Sequence, residues 1–448
     1  MPSKYLPSPL PQPITRAQSL GAANRVARPA CRLADATSGR ALASILIAAV
    51  VAAAPFSIGV SPAVGQASRP EQDAAEVERV YLVGPKVAAD LGCSIAWQNF
   101  VPLPAGQSIV RLSAGPQGIL ALNNRNEVTL LRPGNGDRAW TASAAQLVDK
   151  VLALDIVEVD TGAGLESRVM ITTDSGVFGL DAKDGASNLR KRFRAVPSTA
   201  PIVSGDQLVF GTRTGQLSWF NCATGFERRA YTIDGPIGQS PLVAAPVVGR
   251  GRIVAASSEG TVVVLDESSG NSYWRKKLLA GVRATPAIGD GVVFVASEDQ
   301  YLYAFDLSNG ATLWKYFTQS PLTTPPFVAG DLVVQSIPGE GLVAFTQKSE
   351  GNLAGDVRWK RTGLMGAPVT TTAARGGDAL VLWCADSRTV TMVSMANGDI
   401  VGMVELPKVD QLVADALEPG GFVLWSRDGR IQRLSPMKSA AAAAASNG

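Results

Sequence analysis

A β-rich repeat of roughly 40 residues runs through most of this chain and constrains its fold more than any other feature. The clearest copy combines the segments 291–297, 301–306 and 311–314, which are joined by two short turns and end at Trp314. Alternating and β-branched apolar residues predict three strands in each copy. The second turn, Asp-x-x-Asn-Gly, provides a glycine for a positive φ. The pattern therefore predicts consecutive β hairpins with no helices between them.

The repeat occurs eight times, at intervals of 39 to 50 residues between the first turns of successive copies. These turns lie at Asn126, Gly176, Gly215, Gly260, Gln300, Gly341, Arg388 and Gly429. The longest interval contains an extra polar loop at residues 160–167. Fixed-period β units of this size indicate a propeller in which each unit forms one blade. The predicted fold class is all-β, an eight-bladed β-propeller.

The two ends of the repeat region predict how the ring closes. The final hairpin, at residues 421–434, lacks a third strand, and residues 92–101 match the closing strand at 310–318. We expect the last blade to pair Ile431 to Leu434 with Ser94 to Trp97, because a shared blade removes an open sheet edge. The alternative is a seven-bladed ring with residues 93–111 packed outside it.

The segments outside the propeller, which is predicted over residues 91–435, differ in composition. Residues 1–67 contain six basic residues, an apolar run at 41–54 and the small residues Gly65 and Ala67, the order of a cleaved signal peptide with a long basic n-region. An uncleaved anchor extending to Val64 is the alternative. Residues 68–90 are predicted to be a linker, and residues 436–448 a disordered, Ala-rich tail.

Composition argues against most catalytic and nucleic-acid functions. The 448 residues include no histidine, so the usual general base and every His-containing metal site are absent. The four cysteines form no C-x-x-C pair, and buried single thiols are expected. Residues 68–448 carry 35 basic and 37 acidic residues, and this near-neutral balance argues against nucleic acid as the main partner. No catalytic, cofactor-binding or metal-binding residue is predicted, and no cofactor.

Several residues admit both a chemical and a structural interpretation. Asp181, Asp266 and Asp306 end strands just before turn glycines, so hydrogen bonding to the turn backbone is favoured over catalysis. Trp425 replaces a small residue of other copies, and core packing is favoured over a ligand platform. Basic clusters at 190–194, 275–277 and 360–361 predict solvated outer edges, with an acidic protein or a lipid surface as the alternative.

The repeat from Gly291 to Trp314 resembles the PQQ-like β-propeller repeat, and residues 90–435 are similar to the BamB family of periplasmic propellers that assist outer-membrane β-barrel assembly. The resemblance implies that the closing tryptophan of each repeat docks on the next blade. Trp97, Trp140, Trp274, Trp314 and Trp359 match this position. Leu189, Arg229 and Gly402 replace it, so looser packing is expected there. The usual lipobox of the family is absent from this sequence.

These features predict an exported, non-enzymatic scaffold for protein interaction in the cell envelope, located in the periplasm or at the periplasmic face of the outer membrane. The resemblance implies a β-barrel assembly component as the partner. A monomer is expected, with no nucleic acid and with peripheral or no membrane contact. The alternatives are a small-ligand or glycan-binding propeller and, less favoured, a relative of the PQQ-dependent dehydrogenases, which resemble this repeat but are longer.

Overall fold

The computed structural model describes residues 80–162, 164–234, 246–349, 351–374 and 377–437, all within one compact unit. The predicted signal peptide and residues 438–448 of the predicted tail lie outside the described residues. Eight four-stranded antiparallel sheets form the eight blades of a ring. The all-β, eight-bladed prediction is confirmed, and the seven-bladed alternative is wrong.

A short helix, α1 (Pro85–Asp90), precedes strand β1 (Cys93–Phe100). Blades 1 to 4 follow in chain order: β2 (Ile109–Gly115), β3 (Gly118–Asn123), β4 (Glu127–Leu131), β5 (Arg138–Ser143); β6 (Val151–Asp160), β7 (Leu165–Thr173), β8 (Gly176–Asp181), β9 (Ser187–Arg192); β10 (Ile202–Ser204), β11 (Gln207–Gly211), β12 (Gln216–Asn221), β13 (Phe226–Thr232); β14 (Val247–Gly249), β15 (Arg252–Ala256), β16 (Thr261–Asp266), β17 (Ser272–Lys277).

Blades 5 to 7 continue the same order: β18 (Ala287–Ile288), β19 (Val292–Ala296), β20 (Tyr301–Asp306), β21 (Thr312–Phe317); β22 (Phe327–Ala329), β23 (Leu332–Ile337), β24 (Gly341–Thr346), β25 (Val357–Arg361); β26 (Ala367–Ala374), β27 (Gly377–Cys384), β28 (Thr389–Ser394), β29 (Ile400–Glu405). Blade 8 comprises β30 (Gln411–Ala414), β31 (Phe422–Trp425), β32 (Arg430–Pro436) and β1.

Each blade has four strands, one more than the repeat pattern predicts. The additional strand is the first of each blade, and the first strands of neighbouring blades contact one another around the ring axis. In blades 3 to 6 these inner strands span only two or three residues, too few to show a period-2 pattern. A proline comes directly before each of the four, at Pro201, Pro246, Pro286 and Pro326. This proline is the sequence signal of the inner strand, because proline is tolerated at a strand start.

The insertion predicted as a polar loop in blade 2 is mostly strand. β6 and β7 remain paired from Val151↔Thr173 to Asp160↔Leu165, so the strands include Asp160 and residues 165–167. The prediction of a loop at residues 160–167 is therefore wrong at both ends. Polar residues occur in β6 because Glu158 and Asp160 lie on its exposed side, while the alternating Val157 and Val159 are buried in a core cluster.

The closing blade confirms the predicted pairing of the two chain ends. β1 pairs with β32 in the register Ile95↔Leu434 and Trp97↔Arg433, with a β-bulge between the two pairs. Eight clusters of buried apolar side chains stabilise the ring, such as the one in which β16 of blade 4 packs on β19 of blade 5. Stability therefore depends on every seam between blades, including the seam on each side of blade 8.

Candidate interaction surfaces

Five seams between blades are held by the predicted tryptophan contact. Each indole N–H donates to a backbone carbonyl in the turn between the third and fourth strands of the next blade: Trp97 to Pro133, Trp140 to Ala182, Trp274 to Leu307, Trp314 to Gln347 and Trp359 to Met395, at 2.9–3.0 Å. A glycine of the same turn lies against the ring. At Gly310, with φ +73°, a Cβ would lie 2.6 Å from Trp274. The predicted docking is confirmed, and it requires glycine there.

Two of the three seams without tryptophan have an arginine donor instead. At the seam where Leu189 replaces tryptophan, Nη1 of Arg168 donates to the carbonyl of Cys222 in blade 3 at 3.1 Å. Arg229 donates from Nη2 to the carbonyl of Ser268 at 2.9 Å, and its guanidinium lies 5.7 Å from the ring centre of Trp219. These seams therefore keep a hydrogen bond between blades although the indole is absent.

The seam between blades 7 and 8, at Gly402, is built differently. Blade 8 has no turn between its third and fourth strands, because β32 and β1 come from opposite ends of the propeller sequence. The segment around α1 packs there, with Leu82, Val83 and Leu91 in the same apolar cluster as Leu406. The described part of the predicted linker thus contains a helix whose flanks contribute to the core.

The antiparallel order gives the propeller two distinct faces. The turns that join the first to the second strand and the third to the fourth strand of each blade lie on one face, here the turn face. The turns between second and third strands lie on the opposite face together with the connections between blades, and this is the loop face. Tryptophan docking uses the turn face.

Exposed apolar side chains mark the loop face. Four of its blade connections carry them, and the exposed fractions are 63% for Leu147, 87% for Val148, 46% for Val196, 91% for Leu279 and 69% for Met365. Among the described residues, the turns of the turn face contain two such side chains, Leu353 and Leu417, while Leu165, Phe226 and Ile400 are exposed at the starts of the strands that follow these turns. Exposed apolar groups rimmed by polar residues are typical of protein-interaction surfaces.

A polar cavity of about 540 Å³ opens on the loop face between blades 7, 8 and 1. Asp410 lines it and accepts from Nη2 of Arg388 at 2.8 Å and from the backbone N–H of Arg427 at 2.7 Å. Trp425 forms part of the wall, but its side chain is only 6% exposed and packs in the core with Trp97. The core interpretation of Trp425 is confirmed, since a buried ring offers no stacking platform.

The strand-ending aspartates stabilise turns, as predicted. Asp306 accepts from the backbone N–H of Ser308 at 2.9 Å, and Asp181 accepts from that of Lys183 at 2.7 Å. Hydrogen bonds from Ser268 and Ser269 hold the pKa of the Asp266 carboxyl well below its usual range. A carboxyl whose pKa is lowered in this way, as in Asp266, remains ionised and is unsuited to general acid catalysis.

The basic clusters of the outer strands are more engaged than predicted. Lys276 donates to the carbonyl of Gly310 in the next blade at 2.7 Å, and Arg361 donates to that of Gly398 at 3.0 Å. Both lie two residues after the docked tryptophan. The prediction that these side chains are only solvated is wrong for these two, because they extend the contact between blades. Lys360 instead pairs with Glu340 at 2.6 Å.

Burial raises the pKa of one aspartate and two cysteines in the described part of the propeller. Burial raises the pKa of Asp155, on β6, to about 6, and Arg111 partly opposes this shift. Its Oδ2 is buried without a hydrogen-bond partner. Burial also raises the pKa of the Cys93 and Cys222 thiols to about 12, whereas Cys384 is only half-buried. All three described cysteines are free thiols.

No group of three or more Asp, Glu or Cys side chains in the part of the chain that the structure describes is placed to hold a metal ion. None of its helices has the length and apolar character needed to cross a membrane.

Comparison with known proteins places the chain in a family. The sequence profile described as "Outer membrane protein assembly factor BamB" matches residues 94–316 and 258–417, which covers most of the propeller. The chain belongs to this family. A curated BamB of Xanthomonas campestris pv. campestris is 26% identical over 177 residues. That match covers 37% of this chain and 39% of the BamB relative, so the chain matches well under half of the relative's length.

Solved structures support the fold of the BamB family member described here. The crystal structure of BamB from Moraxella catarrhalis matches with a TM-score of 0.55 and 18% identity, covering 75% of this chain and 97% of that one. The computationally designed Ika8 protein matches with a TM-score of 0.56 and 15% identity, covering 77% and 99%. At these identities the likeness concerns the fold alone.

Proposed function

We propose that this protein is an exported, non-enzymatic scaffold of the cell envelope that binds a component of the β-barrel assembly machinery through its loop face. Membership of the BamB family supports the class of partner. The observation that carries the proposal is the set of exposed apolar side chains on the loop face, with Leu279 the most exposed. A protein partner would remove this apolar surface from water, which favours association.

Site-specific crosslinking tests the proposal. A photo-crosslinking amino acid is placed at Leu279 or Val148 on the loop face and, as the control, at Leu353 on the turn face, whose side chain is 73% exposed. After irradiation of intact cells, we expect an outer-membrane assembly protein to be captured from Leu279 and Val148 but not from Leu353. Equal capture from all three positions, or capture from Leu353 alone, would contradict the assigned face.

Export and the absence of enzymatic activity need separate measurements. We expect mass spectrometry of the mature protein to place its first residue near Ser68, because residues 1–67 have the order of a signal peptide. A mature chain that still begins near Met1 would instead support an anchor. The purified protein should contain no bound quinone and should not oxidise alcohols in a dye-linked assay. Stoichiometric quinone with turnover would overturn the scaffold proposal.

A further inference from the structure

The outermost strands of the eight blades differ in charge. Each has one edge that no strand of its own sheet covers. Six of these strands carry lysine or arginine, namely β5, β9, β13, β17, β21 and β25. Basic side chains on an edge strand oppose the addition of another strand. The two that lack them are β29, in blade 7, and β1, in blade 8.

β1 already contacts a preceding segment of its own chain. The Gln98 side chain accepts from the backbone N–H of Leu82 at 2.7 Å and donates to the carbonyl of Val80 at 3.2 Å. β29 also contacts α1, although less extensively than β1 does. Its Ile400, Val401 and Met403 side chains are 53%, 38% and 61% exposed.

The backbone of β29 offers unused hydrogen-bonding groups. The N–H of Leu406 donates to the carbonyl of Arg388 next to β28, at 2.7 Å. Because backbone groups alternate in direction along a strand, the N–H and C=O of Met403 and Glu405 point away from β28, toward the open edge. Met403 thus presents both an apolar side chain and a free backbone donor at the rim.

We propose that β29 is a strand-addition site for an extended polypeptide segment with alternating apolar side chains. Backbone hydrogen bonds to Met403 and Glu405 would hold the segment, and its apolar side chains would pack beside Val401 and Met403. This inference does not depend on the proposed function, since it concerns the rim and not the loop face.

An extended segment fits this edge better than a second copy of the chain. The six residues of β29 span about 20 Å. Two convex rims that meet along one such strand curve away from each other, so little surface beyond the strand is buried, whereas stable protein interfaces bury about 1,200 Å² or more. A single peptide strand binds mainly through its backbone and needs no wider contact.

The test uses the full chain and a fluorescein-labelled peptide of ten alternating Thr and Val residues with Gln at each end. Fluorescence anisotropy measures its affinity. Met403→Pro removes the outward N–H and leaves the bonds to β28 in place, while Met403→Ala keeps the N–H. We expect Met403→Pro to weaken binding about tenfold relative to Met403→Ala, as for one lost hydrogen bond.

A second pair of variants covers the case in which Met403→Pro fails to fold, as judged by its thermal melting. Met403→Lys places a cation on β29, and Phe226→Lys places one at a similarly exposed position on the already basic β13. Only Met403→Lys should weaken peptide binding. Equal effects of these two variants, no difference between Met403→Pro and Met403→Ala when both fold, or a dimer without peptide binding would overturn the proposal.

Discussion

The seam between blades 5 and 6 and the seam between blades 7 and 8 hold outer strands in place by different means. At the first, the fully buried Trp314 docks on the turn of the next blade and donates to the carbonyl of Gln347. At the second, no such turn exists, and Gly402 replaces the tryptophan at a position where a Cβ would clash with the Met392 side chain. The amide of the buried Gln432 binds both the N–H and the C=O of Val83 there, at 2.8 and 2.7 Å.

This difference shows that neighbouring repeats pack through residues close in sequence, whereas ring closure needs contacts between the two ends of the propeller sequence. A tryptophan and its turn lie only 33 residues apart at the Trp314 seam, but Gln432 and Val83 lie 349 residues apart. The closing seam is therefore expected to be the most sensitive to truncation, and the tryptophan seams to point mutation.

Deletion of residues up to Phe100 should have the largest effect. It removes α1 and β1, leaves β32 as an open edge and exposes the cluster that contains Leu406 and Leu434. We expect aggregation or loss of the cooperative thermal transition, measured by light scattering and circular dichroism. Deletion of residues 1–79 is the control and should leave melting unchanged. A monomeric protein with normal melting after the longer deletion would disprove the closure mechanism.

Trp314→Ala should destabilise the protein by about 4 kcal/mol, because it opens a cavity at a fully buried position and leaves the carbonyl of Gln347 unpaired. Urea unfolding measures the change. Leu189→Ala, at a seam where Arg168 supplies the hydrogen bond, is the comparison and should lose about 2 kcal/mol. If both variants lose the same free energy of unfolding, the tryptophan contact does not stabilise its seam more than the contact of Leu189 does.

Gln432→Leu should destabilise the closing seam by about 2 kcal/mol, since both buried backbone groups of Val83 lose their partner. Gln98→Leu is the matched control, because this amide makes similar bonds to Leu82 and Val80 at a more exposed site. We expect the control to lose less than half as much in urea unfolding. A larger loss of unfolding free energy for Gln98→Leu would show that the segment around α1 is held mainly by β1 and not by β32.

The smallest effect concerns Asp155, beside the seam between blades 2 and 3. Burial raises its pKa from 3.8 to about 6, so the folded protein binds this proton more tightly than the unfolded chain. The contribution of this proton to the free energy of unfolding is complete below pH 3.8 and is lost as the pH rises through 6. Asp155→Asn should therefore gain about 1 kcal/mol over the parent between pH 4 and pH 7, with partial solvent exposure taken into account. A difference that does not vary with pH would refute the raised pKa.

The surfaces were less predictable than the blades. The exposed apolar side chains of the loop face, such as Leu279, lie in connections without a repeat pattern, so the sequence does not distinguish them from buried leucines. Asp155 was not predicted either, because its pKa depends on burial between blades and on Arg111 from the neighbouring blade. Asp306 was predictable, because its partner Ser308 lies two residues away.

By itself, the sequence determined the number of blades, the pairing of β1 with β32 and the tryptophan positions, because each follows from a residue pattern that repeats along the chain. Only the tertiary structure decided which groups replace tryptophan at three seams. Arg168, Arg229 and the segment around α1 do so from places that no common spacing connects. Local strand patterns arise from side-chain alternation within a few residues, whereas a hydrogen bond between blades depends on where the folded ring brings its donor.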